Sequence, residues 1–225
     1  MHPWDLTAAE AIALQLQLAA QVQRTNGFVP DQLRTVAGVD VSYTDISRAA
    51  VVLLSYPDLQ LLDQATAVRA TAFPYIPGLL SFRELPAALD ALAKLRVPPD
   101  LLIADGQGIA HPRRFGVASH LGVLTGIPTI GCAKSRLTGR YVDPGPLPGD
   151  ASPLLAGQDE VIGTVVRSKL RTRPLFISIG HKIDLTTALS LVLRCLRGYR
   201  LPEPTRLADK LSKVHYPDPG QHVPP

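Results

Sequence analysis

Cysteine is nearly absent: Cys132 and Cys195 stand alone in 225 residues, with no Cys-x-x-Cys pair, which excludes a zinc ribbon and a disulfide framework. Both read as reduced core thiols. Aromatics are scarce at 5%. Long apolar runs are missing too, since stretches such as Val51 to Leu54 and Leu101 to Ala104 fall far short of the ~20 residues that a membrane span requires. A soluble protein with no membrane attachment is expected. The opening Met-His-Pro-Trp-Asp lacks the basic region and apolar block of a secretory signal, so the expected location is the cytoplasm. Other absences concern chemistry. There is no Walker A loop, no Gly-x-Ser-x-Gly elbow and no His-x-x-x-His pair among the six histidines, which counts against a nucleotide hydrolase, an esterase and a zinc hydrolase.

Proline is abundant, 21 residues against a usual share of roughly 5%, but it is scattered, so collagen, mucin and disordered-tail readings are excluded. With 46% hydrophobic side chains the chain is long enough for one globular domain. The expected domain covers residues 1–215, followed by a flexible tail over 216–225. The net charge of +4 hides an asymmetry. Residues 1–163 hold 12 basic and 15 acidic side chains, whereas residues 164–225 hold 11 and 4. The basic C-terminal third suits a polyanion. Arg167, Lys169, Arg171 and Arg173 recur at every second residue and would share one face if extended, a strip able to track phosphates; a solvated surface is the plainer reading.

Thr7-Ala-Ala-Glu10 is a capping-box sequence and predicts a helix to about Thr25. Val36 to Tyr43, Ala49 to Tyr56 and Leu59 to Arg69 read as three antiparallel strands, the first turn containing Asp45-Ile46-Ser47. A Pro/Gly loop, Phe73-Pro-Tyr-Ile-Pro-Gly78, precedes a helix to about Leu95. Strand Leu101 to Asp105, helix Arg113 to Leu124 and strand Pro128 to Cys132 then give a β-α-β crossover. A loop over 139–158, strands near Val161 to Arg167 and Leu175 to Ile179, and helices near Thr186 to Arg197 and Pro204 to Lys213 complete the chain. The expected fold is α/β: a ribonuclease H-like mixed sheet, an antiparallel three-strand meander plus parallel strands, flanked by helices.

Asp40 sits in Val-Ala-Gly-Val-Asp-Val-Ser-Tyr, a strand apolar on both faces, where a carboxylate is costly unless a cation or hydrogen-bond donors compensate. It reads either as a metal ligand or as an acceptor of local hydrogen bonds. Asp105 ends Leu-Leu-Ile-Ala and opens Gly106-Gln-Gly108. Sites in parallel sheets gather at such strand ends, and glycines there admit a ligand to the backbone; a turn residue is the alternative. Glu84 is either part of a capping box with Ser81 or, if the helix begins nearer Glu84 as Pro86 suggests, a carboxylate facing the sheet. Three such carboxylates would suit magnesium. Lys134 follows the strand Thr-Ile-Gly-Cys-Ala, either as a surface lysine or as a counter-charge to phosphate. Pro74-Tyr75-Ile76-Pro77 reads as a stiff apolar wedge for stacked bases, or as core.

These segments, with Asp105-Gly-Gln-Gly-Ile-Ala-His-Pro-Arg, Ile-Pro-Thr-Ile-Gly-Cys-Ala-Lys134-Ser and Glu203-Pro-Thr-Arg-Leu-Ala-Asp209, together resemble the endonuclease V family from about residue 4 to 212. The resemblance implies a magnesium-dependent endonuclease, with manganese as a substitute ion. It recognises deaminated bases, chiefly deoxyinosine in DNA, cuts the second phosphodiester bond 3′ to the lesion and leaves 3′-hydroxyl and 5′-phosphate. It assigns Asp40 and Asp105 to the metal, Glu84 to the metal and its water, and Lys134 to the scissile phosphate. Asp209 joins the catalytic set, at a position where some members carry histidine. Tyr75, with Ile76 and Pro77, becomes the wedge that fills the space left by the extruded base. Gly78, Leu80, Gly106 and Gly108 line its pocket. Two rivals stand beside this: an inosine-specific endoribonuclease, whose sugar choice no motif names, and a non-catalytic nucleic-acid-binding module, which would gain nothing from clustered carboxylates. A monomer is expected.

Overall fold

The computed structural model describes residues 2–43 and 46–214; the tail 216–225 and the turn position Asp45 lie outside the described residues. Thr7 closes the expected capping box, its hydroxyl accepting from the Glu10 N–H while Glu10 accepts from the Thr7 N–H at 2.8 Å. The helix it starts, α1 (Ala8–Ala19), stops short of Thr25. Beyond Ala20 the backbone pairs elsewhere: the Lys182 N–H donates to the Gln23 carbonyl, and the Gly27 N–H to the Lys182 carbonyl.

Strands β1 (Thr35–Tyr43), β2 (Ile46–Ser55) and β3 (Leu61–Ala70) form the expected antiparallel meander, with Ile46 and Ser47 lengthening β2 rather than forming the turn. Helix α2 (Leu80–Leu92), strand β4 (Leu101–Ala104), helix α3 (Val117–Thr125) and strand β5 (Thr129–Ala133) follow. β1, β4 and β5 run parallel. β6 (Ala151–Ala156), β7 (Glu160–Val166) and β8 (Leu175–His181) return antiparallel, and helices α4 (Leu185–Arg194) and α5 (Glu203–Ser212) close the described chain. One mixed eight-stranded sheet results, in the order β3-β2-β1-β4-β5-β8-β7-β6, flanked by helices as the sequence predicts.

Side-chain alternation divides the core. Val36, Val52, Ile103 and Ile177 pack with Leu191 of α4 and Ala208 of α5, while Ala37, Val51 and Leu102 pack with Leu85 of α2 and Leu121 of α3. Helices therefore cover both faces, which is why the central strands are apolar throughout.

Four local expectations fail for local reasons. The stretch 139–158 is not all loop, because β6 lies within it; Pro153 masks this strand, and proline is tolerated there because β6 ends the sheet. α3 starts at Val117 rather than Arg113, since Arg114 takes a left-handed φ of +56°. α2 starts at Leu80 and holds Pro86 inside it, so no capping box forms; the Ser81 hydroxyl bonds His120 Nδ1 at 3.0 Å. Finally, residues 167–174 leave the sheet after Val166, with Arg171 at φ +58°, so Arg167, Lys169, Arg171 and Arg173 do not share one strand face.

Gly38 of β1 sets the position of the last helix. A Cβ there would lie 2.0 Å from the Pro204 carbonyl oxygen, so α5 rests directly on the strand backbone. The far end of α5 is tied down by the Ser42 hydroxyl, which donates to the Ser212 carbonyl at 2.7 Å. Gly38→Ala should therefore lift the helix and destabilise the protein by about 1–3 kcal/mol, the usual cost of overpacking. Urea unfolding midpoints check this, and an unchanged midpoint would contradict the close approach.

Candidate active site

Register brings the carboxylates together. Val39 of β1 pairs with Ala104 of the parallel neighbour β4, so the next residue on each, Asp40 and Asp105, come level at adjacent strands. Lys134 follows β5 directly, and α5 brings Asp209 down from the other side. One oxygen each from Asp40, Asp105 and Asp209 lie within 4.8 Å of one another. The Lys134 ammonium bridges two of them, 2.5 Å from Asp105 and 2.5 Å from Asp209, and Lys213 reaches Asp209 at 2.7 Å. Asp40 accepts from the Ser212 hydroxyl at 2.5 Å.

The electrostatics follow from burial and crowding. Desolvation pushes Asp40 up to about 6, opposed by the Ser212 hydrogen bond and reinforced by Asp105. Glu84, 7% exposed on α2, is pushed well above the usual carboxylate range by burial and by Asp40 and Asp105. Burial alone would lower Lys134, but the hydrogen bonds and charges of its carboxylate partners outweigh it and raise it. Asp209 is lowered, because Lys134 and Lys213 together overcome its desolvation. Glu84, Asp40 and Asp105 share the wall of a cavity of about 10 Å³, about the room one water needs. Glu84 thus faces the sheet although the helix begins before it.

A second cavity of about 340 Å³ opens beside this cluster and shares Asp105 and Lys134 with it. Gly78, Leu80 and Gly106 line it, as do Tyr75, Ile76 and Pro77. Gly108 does not. A Cβ there would lie 1.9 Å from the Ile179 carbonyl oxygen, so this glycine serves the packing of its loop on β8. The wedge residues divide: Tyr75 is 63% exposed, whereas Ile76 packs against the cluster of Ala11, Phe73, Leu79 and Phe82. Their loop is held at Gly78, whose carbonyl accepts from Gln15 Nε2 at 2.9 Å, His111 Nε2 at 3.0 Å and Arg113 Nη2 at 2.7 Å. His111 Nδ1 accepts from the Arg113 N–H, which assigns the ring proton to Nε2, and burial lowers His111 to about 4, so the ring stays neutral.

Arg167 does not stand free. Its guanidinium pairs with Asp143 at 3.0 Å and bonds the Thr172 and Gly145 carbonyls, bracing loops, while Lys169, Arg171 and Arg173 are exposed. Ser212 and Lys213 complete the surroundings of the cluster. Neither carries a signal in the sequence, because a serine and a lysine at the end of an amphipathic helix break no pattern.

Comparison with known proteins agrees with this geometry. A family model described as Endonuclease V matches residues 16–210. The endonuclease V of Trichormus variabilis is 53% identical over 214 residues, covering 94% of this chain and 96% of its own. The crystal structure of endonuclease V from Streptomyces avermitilis superposes with a TM-score of 0.88 at 47% identity, covering 93% of each chain. That of Ciona intestinalis endonuclease V, in complex with a 24mer DNA containing an inosine followed by a ribo-adenosine, superposes at 0.79 and 30% identity, covering 91% of this chain and 95% of that one.

The raised pKa of Asp40 has a stability consequence. The native state holds this proton more tightly than the unfolded chain, so stability falls as pH rises from its ordinary value near 3.8 through about 6. Asp40→Asn keeps an acceptor for Ser212 and removes the buried charge. In chelator at pH 7 it should be more stable than the parent by about 1–3 kcal/mol, with the gain shrinking toward pH 4. Thermal melts across that range decide it; a variant less stable at pH 7 would refute the assignment.

Proposed function

The chain belongs to the endonuclease V family, a nuclease family, and on that premise we propose that it recognises deoxyinosine in DNA and hydrolyses the second phosphodiester bond 3′ to it, leaving 3′-hydroxyl and 5′-phosphate. One observation carries the reading: the 340 Å³ cavity and the acidic cluster share Asp105 and Lys134. A base taken out of its stack would enter the cavity while its own strand passes the charged groups. Tyr75, exposed on a loop clamped at Gly78, is supported by its position at the rim as the side chain that fills the vacated stack. The Ciona relative's complex with inosine-containing DNA supports the choice of base.

The donor set suits a hard divalent ion. Asp40, Asp105 and Asp209 offer carboxylate oxygens alone, from three elements, within 4.8 Å, which fits magnesium or manganese and not a thiolate-seeking metal. When bound, such an ion would supply charge stabilisation for the phosphate and lower the pKa of water. The chain's own groups do the rest. Glu84, on the wall of the small cavity beside Asp40 and Asp105, would orient the attacking water or, as its carboxylate, accept the water's proton. Lys134 remains charged and offsets the negative charge that develops on the phosphate. Lys169, Arg171 and Arg173 are available to backbone phosphates farther along the strand; Arg167 is left out, being spent within the protein.

The direct test is a duplex with one deoxyinosine, incubated with magnesium and then with chelator, the cut position being mapped. Asp105→Asn should reduce nicking by roughly 10³-fold or more while the melting temperature stays near that of the parent; retained nicking would remove Asp105 from the reaction. Tyr75→Ala should weaken binding to inosine-containing duplex by about 1–3 kcal/mol, the worth of a stacked aromatic, and change the single-turnover rate of bound substrate far less. Equal affinity of parent and variant would reject the wedge. Matched deoxyinosine and riboinosine strands read out the sugar preference.

A further inference from the structure

Aromatic side chains make up 5% of the chain, and Tyr75 at 63% and Tyr199 at 51% are the most exposed Phe, Tyr or Trp side chains among the described residues. Tyr75 stands at the rim of the larger cavity, whereas Tyr199 lies in the connection between α4 and α5 and belongs to neither the cavity nor the acidic cluster. Its surroundings are cationic. The Arg206 guanidinium lies 4.3 Å from the ring centroid and is held by Glu203, to which it donates at 2.6 and 2.7 Å. The Lys169 ammonium lies 5.9 Å from the same centroid and makes no ion pair among the described residues.

The next residue, Arg200, ties this patch to the acidic centre. Its Nη2 donates to the Lys134 carbonyl at 2.6 Å and its Nε to the Arg173 carbonyl at 2.8 Å, while the Ser168 hydroxyl donates to the Arg200 carbonyl at 2.6 Å. Lys134 and the basic loop over 167–174 are both fastened to the residue beside Tyr199. On its other side, Arg206 precedes Asp209 by three residues on α5, which places the two on one helix face. A lone exposed aromatic needs no explanation. This one is set between two cations and anchored from both directions to the carboxylate cluster.

We propose that Tyr199, flanked by Lys169 and Arg206, is a second contact for the strand that is cut, stacking on an unpaired base near the scissile bond while the two cations meet the adjoining phosphates. This rests on the reading of the acidic cluster as the cutting site. Aromatic stacking with cations along the backbone is how proteins hold single strands without reading their sequence, because every base has a face to stack. The contact therefore adds affinity and leaves the choice of lesion to the cavity. Its signature is dependence on the presence of a base at one flanking position and indifference to which base it is.

The test is an abasic scan. Single-stranded oligonucleotides with one deoxyinosine are made with each flanking nucleotide in turn replaced by an abasic tetrahydrofuran residue, and kcat/KM is measured with magnesium. For the parent protein, removal of one base should lower kcat/KM about tenfold, whereas exchanging that base for another should change little. Tyr199→Ala should cut the intact strand about tenfold less well and be indifferent to the same abasic residue. Tyr199→Phe, which keeps the ring, should restore the sensitivity. A parent that tolerates an abasic residue at every flanking position overturns the proposal. So does a Tyr199→Ala protein that still loses about tenfold at every position where the parent does, because the contribution of the ring is then structural. The same strand with deoxyadenosine in place of deoxyinosine separates this proposal from the reading beneath it. A parent that cuts neither strand refutes the cutting site and the Tyr199 contact together; one that cuts both equally refutes the base cavity alone, and the scan still decides Tyr199.

Discussion

Mutual repulsion among carboxylates is the constraint around which the rest of the site is arranged. At separations of ~4 Å two like charges cost about 4 kcal/mol in a partly shielded protein environment, and three carboxylates converge here within 4.8 Å, with a fourth close by. The fold opposes this with specific groups. Lys134 stands between Asp105 and Asp209, Lys213 holds the other oxygen of Asp209, and Ser212 donates to Asp40. The remaining strain is visible in the upward shifts of Asp40 and Glu84. A site that keeps such groups at the cost of stability is poised for a cation.

The larger cavity and the acidic cluster are joined through shared side chains rather than through a distant relay. Asp105 and Lys134 belong to both the acidic cluster and the larger cavity. The loop that carries Tyr75 is fixed to the same frame, since the Gly78 carbonyl is gripped by donors from α1 and from the turn after β4. A ligand in the cavity is consequently placed with respect to the carboxylates by rigid parts, which is the condition for effective positioning.

The parts of this arrangement that could be read in the sequence are those that break a local rule. Asp40 violates the apolar pattern of its strand, and Asp105 ends an apolar strand at glycines, so both were legible, as were the meander and the crossover. Asp209 could be assigned through family resemblance alone, because an aspartate on a charged amphipathic helix violates nothing; its importance arises from contact with residues far away in the chain. Pro153 concealed a strand, because proline argues against strands except at an edge, and edges are known once the sheet is assembled. The alternation of Arg167, Lys169, Arg171 and Arg173 had the period of a strand without being one, since a left-handed Arg171 turns the backbone between them.

The seating of α5 on Gly38 has a bearing on how the protein is made. Chains emerge from the ribosome N-terminus first, so Asp40, Glu84, Asp105 and Lys134 are all synthesised before the helix that supplies Asp209 and Ser212. Until that helix docks on β1, the carboxylate cluster lacks its third member and Asp40 lacks its hydroxyl donor. Completion of the acidic centre is thereby deferred until α5 has been made, and an incompletely translated chain that lacks α5 would have no complete acidic centre.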